Sequence, residues 1–496
     1  MWVLLFAVAC GDDEDIYSEE AFTGETRKFW ALDDNNQSRL VEAELRAEGE
    51  HCKFWVEKGH FRSIGKQTMA DLVSEYDYKI RPRLLEVFSV QGPIEEPQGG
   101  KVVAQNSLEW ADHLGDGDGK LSILILDLGT GSDGKIVAGY FARNDLFHES
   151  SLKPPSRSNQ SDMLYMNVHM GPNSVEFKIT IAHEVQHLMN FVNGALLRKY
   201  PADWSWEGMV WDWFMSDVWL DEGLSEAAQY VYAGQHSQGR VDWFNEGGKL
   251  IAEGNNFFIW GERPAASLDE YATVYLFFQW LRLQSGGSND IYRSISTSKH
   301  YDYNAVVEAM AGKGNYRDEP KLQWETLLKD WLLANLLTSQ PAGSNISPKH
   351  RYGDPLLDGL KVHWYPKSQS EVALYPGEGV YSFSRTAKNH VSGGNIRYAG
   401  VDSAQGVVSD GASLANAALL TYNTNTKRFL LDKPMTDLLE RGQISPDAPP
   451  AGSLAKSLAA GAHKARSSRL LPIGLWDMVG LKEHERRAAE EAAQSD

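Results

Sequence analysis

Between Phe177 and Phe191 the chain reads FKITIAHEVQHLMNF, and the spacing of its apolar residues demands a mostly buried helix. Ile181, Val185, Leu188 and Val192 make one stripe, which Ala182 and Met189 widen. Inside that stripe sit His183, Glu184 and His187, polar groups that burial penalises unless they have partners. At about 3.6 residues per turn, positions i and i+4 project from one face, so His183 and His187 reach a single metal ion. Glu184 lies on the adjoining angle, placed to touch water beside the ion. The chemistry this defines is zinc-dependent hydrolysis: two neutral imidazoles hold Zn²⁺, the ion acidifies water, and the carboxylate takes the proton as the water attacks a carbonyl. A solvated polar face is the competing reading of two histidines at this spacing, and the apolar surroundings argue against it. Asn193-Gly194 offers a helix stop.

A catalytic zinc usually takes three protein ligands and leaves the fourth position to water. The extended metzincin motif needs glycine and histidine where this chain has Asn190 and Asn193, which excludes that class. Downstream, VWLDEGLSE opens a second helical pattern running through Ala227, Ala228, Tyr230 and Val231. Glu222 and Glu226 fall one turn apart on one face of it.

HEVQH followed by WLDEGLSE resembles the gluzincin zinc peptidases, in which a glutamate on a following helix completes the metal site. The aminopeptidase N-type motif WLNEG and the thermolysin-type motif NExxSD both overlay DEGLSE. The resemblance implies that Glu222 is the third zinc ligand. It also places Glu226 where thermolysin-type enzymes have an aspartate that bonds a ligand histidine and fixes its ring. Asp221 stands where these families have asparagine, and its role stays open. Among gluzincins, the wording HEVQHLMNF, WLDEGLSE, YATVYLFFQWL and DWLLANLL is most similar to the hyicolysin-like secreted peptidases, over about residues 25 to 340 and most strongly from 160 to 285. This implies an α+β fold with a zincin-like catalytic domain: a mixed sheet and active-site helix above a helical lower half, with the substrate in the cleft between them. The segment joining His187 to Glu222 is longer than in compact gluzincins and holds Trp204, Trp206, Trp211 and Trp213. It reads as apolar packing, with a lid or substrate-side wall as the alternative.

Peptide hydrolysis also needs a donor for the developing oxyanion. In aminopeptidase N-type enzymes a tyrosine at the start of a later helix does this, so by resemblance Tyr271, in DEYATVY, is the candidate and Tyr275 the reserve. A core aromatic at helical spacing is the plain alternative. His236, in AGQHSQGR, is a further donor candidate set against a solvated loop histidine.

At 496 residues the chain is too long for one core. The expected layout is a signal or lipoprotein segment and linker at 1–20, an N-terminal β-rich part at 21–175 leading into the upper zincin half, and zinc-binding helices with the lower half at 176–340. A linker and small β module follow at 341–440, then a low-complexity tail at 441–496, expected to be partly disordered. Within the first part, KFWALD and RLVEAELRAEGEHCKFWVEKG read as strands with a hairpin turn at Ala-Glu-Gly-Glu. A helical pattern follows at TMADLVSEYDYKIRPRLLEVF, and SILILDL, IVAGYFARND and DMLYMNVHM read as further strands. By resemblance to zincins, the last of these is expected to pair with an extended peptide. GDGDGK, with Asp116 and Asp118, reads as a hairpin turn, since its register and missing glutamate do not fit a calcium-binding EF-hand loop.

The net charge of −19 disfavours nucleic acid and anionic membrane surfaces as partners. The opening MWVLLFAVAC before GDDED resembles a bacterial lipoprotein signal with Cys10 as the lipidated residue, although a positive leader is missing and Ala7 replaces the usual leucine. An ordinary truncated signal peptide is the alternative. The stretch is too short to span a bilayer, so membrane contact is expected only through a lipid on Cys10, which would leave Cys52 without a disulfide partner. These readings converge on a monomeric zinc endopeptidase for peptides or proteins outside the cytoplasm, with Glu184 as general base and then proton donor to the leaving amine. One rival is a surface-binding lipoprotein with a structural zinc site, which would have no use for Glu184. The other is an aminopeptidase, for which a GxMEN-type strand is not visible.

Overall fold

Alternation of apolar and polar residues at the start of the chain builds an antiparallel meander of β1 (Thr26–Leu32), β2 (Ser38–Glu48) and β3 (Cys52–Glu57). The structure, a computed structural model, describes residues 24–426 apart from 34–37, 61–63, 96–99, 130–136, 152–156, 198–215, 248–250, 252–253, 255–256, 259–266, 339–344, 366–373 and 391–393. Cys10, the four tryptophans from Trp204 to Trp213, the segment 1–20 and the tail 441–496 therefore lie outside the described residues.

Beyond β3 come α1 (Lys66–Glu75), a π-helical turn at Tyr76–Ile80 and α2 (Arg81–Phe88). Pro82, without an N–H to give, sits in the first turn of α2, where none is needed. A short pair, β4 (Gln91–Glu95) and β5 (Val102–Asn106), leads to α3 (Ser107–Leu114), a helix that its short span hid in the sequence. Asn106 caps α3, its side chain accepting from the N–H groups of Leu108 and Glu109. Then β6 (Leu121–Leu126), β7 (Gly139–Phe141) and β8 (Met163–Asn167) complete a six-stranded sheet in the order β1-β2-β3-β6-β8-β7.

Two expectations are corrected by this order. The GDGDGK turn joins α3 to β6, and β6 pairs in parallel with β3 and β8, so it is a helix-to-strand connection and not a hairpin turn. DMLYMNVHM becomes β8, which pairs with β6 on one side and β7 on the other. An interior strand has both hydrogen-bonding edges occupied, so β8 cannot receive a peptide; β7 holds the edge on that side.

The sheet curls. Tyr140 Oη of β7 accepts from Leu32 N–H of β1 at 2.9 Å, and Asn159 Oδ1 accepts from Trp30 N–H at 2.7 Å, so the first strand meets residues from the opposite edge. Alternation then gives each strand two destinations. Phe54, Val56, Ile123, Ile125, Leu164 and Met166 face the helices, while Trp55, Leu124, Leu126 and Tyr165 fill the curl with Phe29 and Tyr140.

The helices are α4 (Val175–Leu197), α5 (Val218–Ala233), α6 (Gln238–Glu246), α7 (Ser267–Gln284), α8 (Asp290–Ser296), α9 (Tyr303–Met310) and α10 (Trp324–Thr338). Helix α4 does not stop at Asn193-Gly194 but continues to Leu197. Asn193 is no cap because its side chain is used within the core: it accepts from Ser107 Oγ at 2.5 Å and donates to Phe88 O at 2.8 Å and Ser296 Oγ at 2.9 Å. A four-stranded antiparallel sheet of β9 (Gly379–Ser384), β10 (Ile396–Asp402), β11 (Val407–Asp410) and β12 (Ala417–Asn423), in the order β11-β10-β12-β9, packs on α10. Its Tyr381 hydroxyl donates to Leu332 O at 2.8 Å. The stretch 345–365, read as part of a linker, lies against the helices, because Tyr352, Leu357 and Leu360 are apolar and buried there.

Candidate metal centre

Ser174 caps α4 by accepting from Phe177 N–H at 3.0 Å, and the helix runs under β7 and β8 with nearly every side chain from Thr180 to Ala195 buried. Burying Ile181, Val185 and Leu188 stabilises this position by about 1.5–3 kcal/mol per side chain. Helix α5, ended by Gly234 at φ +68°, packs across α4 and brings Glu222 to the histidines. Gly223 makes the third contact possible. A Cβ on it would stand 2.1 Å from Phe278 of α7, so α5 and α7 approach as closely as they do only with glycine here.

The result is a cage of three ligand atoms. His183 Nε2 and His187 Nε2 are 3.0 Å apart, and Glu222 Oε2 lies 3.4 Å from each. Atoms roughly 2.0–2.1 Å from a tetrahedral zinc stand roughly 3.3–3.4 Å apart, which matches two of the edges; the third is somewhat shorter. All three side chains are at most 1% exposed. Two imidazole nitrogens and a carboxylate oxygen, buried and converging, fit a zinc ion. Glu184 is equally buried on the same helix.

Residues around the cage hold the rings. His187 Nδ1 lies 3.0 Å from Asp221 Oδ2 and 3.1 Å from Ser225 Oγ, and Asn190 Nδ2 donates to Asp221 Oδ1. An Nδ1–H given to Asp221 leaves the Nε2 lone pair for the metal. On the other ring, Gln229 Nε2 lies 2.9 Å from His183 Nδ1 and donates to Glu226 Oε1 at 2.8 Å. Glu226 Oε1 itself is 3.7 Å from His183 Nδ1, and its carboxylate is clasped by Arg240 at 2.7 and 2.8 Å. Gln229 is the residue that sequence reasoning passed over, and Asp221 is the one whose role it left open; each sits one helical turn or less from a named glutamate, which is the signal that could have found them.

Electrostatics favours a cation here. Burial alone would lower the His187 pKa, but the Asp221 and Glu222 carboxylates outweigh it and hold it well above the ordinary imidazole value. Burial likewise opposes charge on Glu222, yet His187 and His183 bring its pKa down to about 2. The ligating form of His187 is neutral, so metal binding displaces a proton.

The oxyanion candidates separate. Tyr271 is buried with its ring 6.2 Å from that of His183, and the Arg240 guanidinium lies over its face at 4.8 Å. Tyr275 and His236 instead bond each other at 2.9 Å, with His236 Nε2 2.9 Å from Asp354 Oδ2 and Ser237 N–H donating to the Tyr275 hydroxyl. Beside this chain lies a cavity of about 490 Å³ lined by Thr180, Gln229, His236, Arg240, Trp243 and Leu268, among others. Cys52 is buried as a free thiol.

Two imidazoles and a glutamate from successive helices, with a carboxylate beside them, are a donor set that could hold a divalent metal. In agreement, the chain is 29% identical over 269 residues to the neutral metalloprotease ShpI of Staphylococcus hyicus, a match covering 52% of this chain and 51% of the relative. The chain spans about half the length of that curated relative. The likeness supports a hyicolysin-like metallopeptidase family. No family model matches the chain.

Proposed function

We propose that this protein is a zinc-dependent metallopeptidase of the gluzincin type, cutting within peptides or proteins outside the cytoplasm. The observation that carries this reading is the buried His183–His187–Glu222 triangle with edges of 3.0, 3.4 and 3.4 Å, formed beside Glu184 on the same helix. His183, His187 and Glu222 hold the metal, with Asp221 orienting His187. Bound there, Zn²⁺ supplies Lewis acidity to water and to the scissile carbonyl. Glu184 accepts the proton of the attacking water and delivers it to the leaving amine. Tyr271 donates to the oxyanion, kept in place by the Arg240 guanidinium on its ring. Glu226, neutralised by Arg240, steadies the Gln229 amide against His183.

The substrate is a peptide or protein met by a monomer that is secreted or tethered by a lipid on Cys10. Among the described residues no helix is long and apolar enough to cross a membrane. The net charge of −19 supports leaving nucleic acid out of the partners. A peptide-library digest with and without chelator tests the reading. Cleavage that chelator stops and zinc restores is the expected result, with internal cut sites marking an endopeptidase and trimmed amino termini an aminopeptidase. No cleavage by the zinc-loaded chain would overturn catalysis.

A further inference from the structure

We propose that Asp112, Asp116 and Asp162 form a calcium site, apart from the His183–His187–Glu222 centre, that ties together the N-terminal ends of β6 and β8. Asp112 lies in α3, Asp116 in the connection to β6, and Asp162 immediately before β8. The two strands run in parallel, and Ser122 N–H donates to Asp162 O at 3.0 Å, so their leading ends are adjacent. One carboxylate oxygen from each of the three aspartates lies within 4.8 Å of the others.

A second observation points to a ligand. Asp162 is only 3% exposed, and its Oδ1 is buried without a hydrogen-bond partner, a costly state for an acceptor of this kind. Asp112 Oδ1 accepts from Gly119 N–H at 2.7 Å, and Arg27 Nη1 stands 3.8 Å from Asp116 Oδ2. Asp118 does not belong to the set: Lys53 Nζ holds its Oδ2 at 2.6 Å, and Lys120 N–H donates to its Oδ1 at 2.9 Å. The close seating of the loop depends on Gly115, where a Cβ would fall 2.5 Å from Asp162 N.

Three carboxylates and no nitrogen or sulfur donor select a hard cation. Calcium accepts irregular oxygen sets at about 2.3–2.6 Å, whereas magnesium demands a near-ideal octahedron at about 2.0–2.1 Å. The sequence concealed this arrangement because an EF-hand draws its ligands from one loop, whereas here the buried one arrives from a distant part of the chain. The rival occupant is a proton. Burial, with Asp112 and Asp116 adding to it, holds the Asp162 carboxyl well above the ordinary carboxylate range.

The test uses the zinc-loaded full chain in calcium-free buffer, titrated with CaCl₂ while bound calcium is measured by equilibrium dialysis and Tm by calorimetry. Expected are one calcium per chain and a raised Tm, with Asp162→Asn and Asp116→Asn each weakening binding by about tenfold or more at unchanged zinc content. Should Asp162→Asn fail to fold, the partly exposed Asp116→Asn carries the comparison. Absence of binding at millimolar calcium, or unchanged affinity in the folded variants, overturns the site. A Tm raised by Asp162→Asn without calcium, in a chain that binds none, would assign the cluster to a shared proton instead.

Discussion

Asp221 shows how much of a metal centre can depend on a residue that touches no metal. Its two oxygens divide their work, Oδ2 meeting His187 Nδ1 at 3.0 Å and Oδ1 taking the Asn190 amide. Replacing Asp221 by Ala should therefore weaken zinc binding by about 10–100-fold, read by competition with a chromogenic chelator; unchanged affinity would leave His187 held by Ser225 alone. Glu184→Gln is expected to keep zinc and lose about 10²–10⁴-fold in kcat, since the amide preserves the shape and cannot accept the proton. Tyr271→Phe should cost about 10²–10³ in kcat at constant zinc content if the hydroxyl serves the oxyanion. A loss of zinc instead would make Tyr271 a packing residue of His183. At this scale the sequence was legible where spacing along one helix suffices, as for His183, Glu184 and His187. Asp221 and Gln229 were not, because their roles depend on the rotation of α5 against α4, which no local pattern encodes.

At the scale of elements, the centre exists because α5 is wedged between α4 and α7. Trp219, one turn before Gly223, is buried among Phe257, Phe258, Phe277, Phe278 and Trp324, so the aromatic cluster fixes the start of α5 while Gly223 fixes its depth. Gly223→Ala would place a methyl 2.1 Å from a buried Phe278 ring atom. The ring has little room to retreat, so the helices must part, at about 1–3 kcal/mol. The expected outcome is a lowered Tm together with weaker zinc binding, because Glu222 precedes the displaced residue; a lowered Tm with zinc affinity intact would show that the shift is absorbed on the α7 side. Helices α4, α5, α7 and α10 were legible from their periodicity. The end of α4 was misread, since Asn193-Gly194 has the composition of a stop while Asn193 is bound by Phe88, Ser107 and Ser296 from three remote segments. The interior place of β8 was hidden for the same reason: strand order is a long-range property, and a run of buried residues looks alike at an edge and at a centre.

At the scale of the whole molecule, the curl of the sheet buries a carboxylate, Asp145, with a consequence for pH. Asp145 accepts from Tyr165 Oη at 2.6 Å and Asn159 N–H at 2.7 Å, and Asn159 in turn bonds both backbone groups of Trp30, so this network joins β8 to β1. Burial outweighs those hydrogen bonds and raises the Asp145 pKa to about 7. An unfolded aspartate titrates near about 3.9, so below that both states carry the proton, and between about 3.9 and about 7 only the folded state does. Stability should then fall as pH rises across this window, by at most about 1.4 kcal/mol per pH unit from this group, and flatten above it. His187 has the same sign in metal-free protein, and Asp162 shares it, whereas Glu222, lowered to about 2, acts only at more acid pH. In the zinc-loaded chain the ligated histidines stay neutral and the sign of their contribution is reversed, equally in parent and variant, so the difference that Asp145→Asn makes in denaturant unfolding isolates Asp145. The variant should show a shallower fall of stability between about pH 5 and 7 and be at least as stable as the parent at the upper end, where the parent carries a buried charge. An identical slope in parent and variant would mean that Asp145 stays ionised throughout, held by Tyr165 and Asn159 against the cost of its burial.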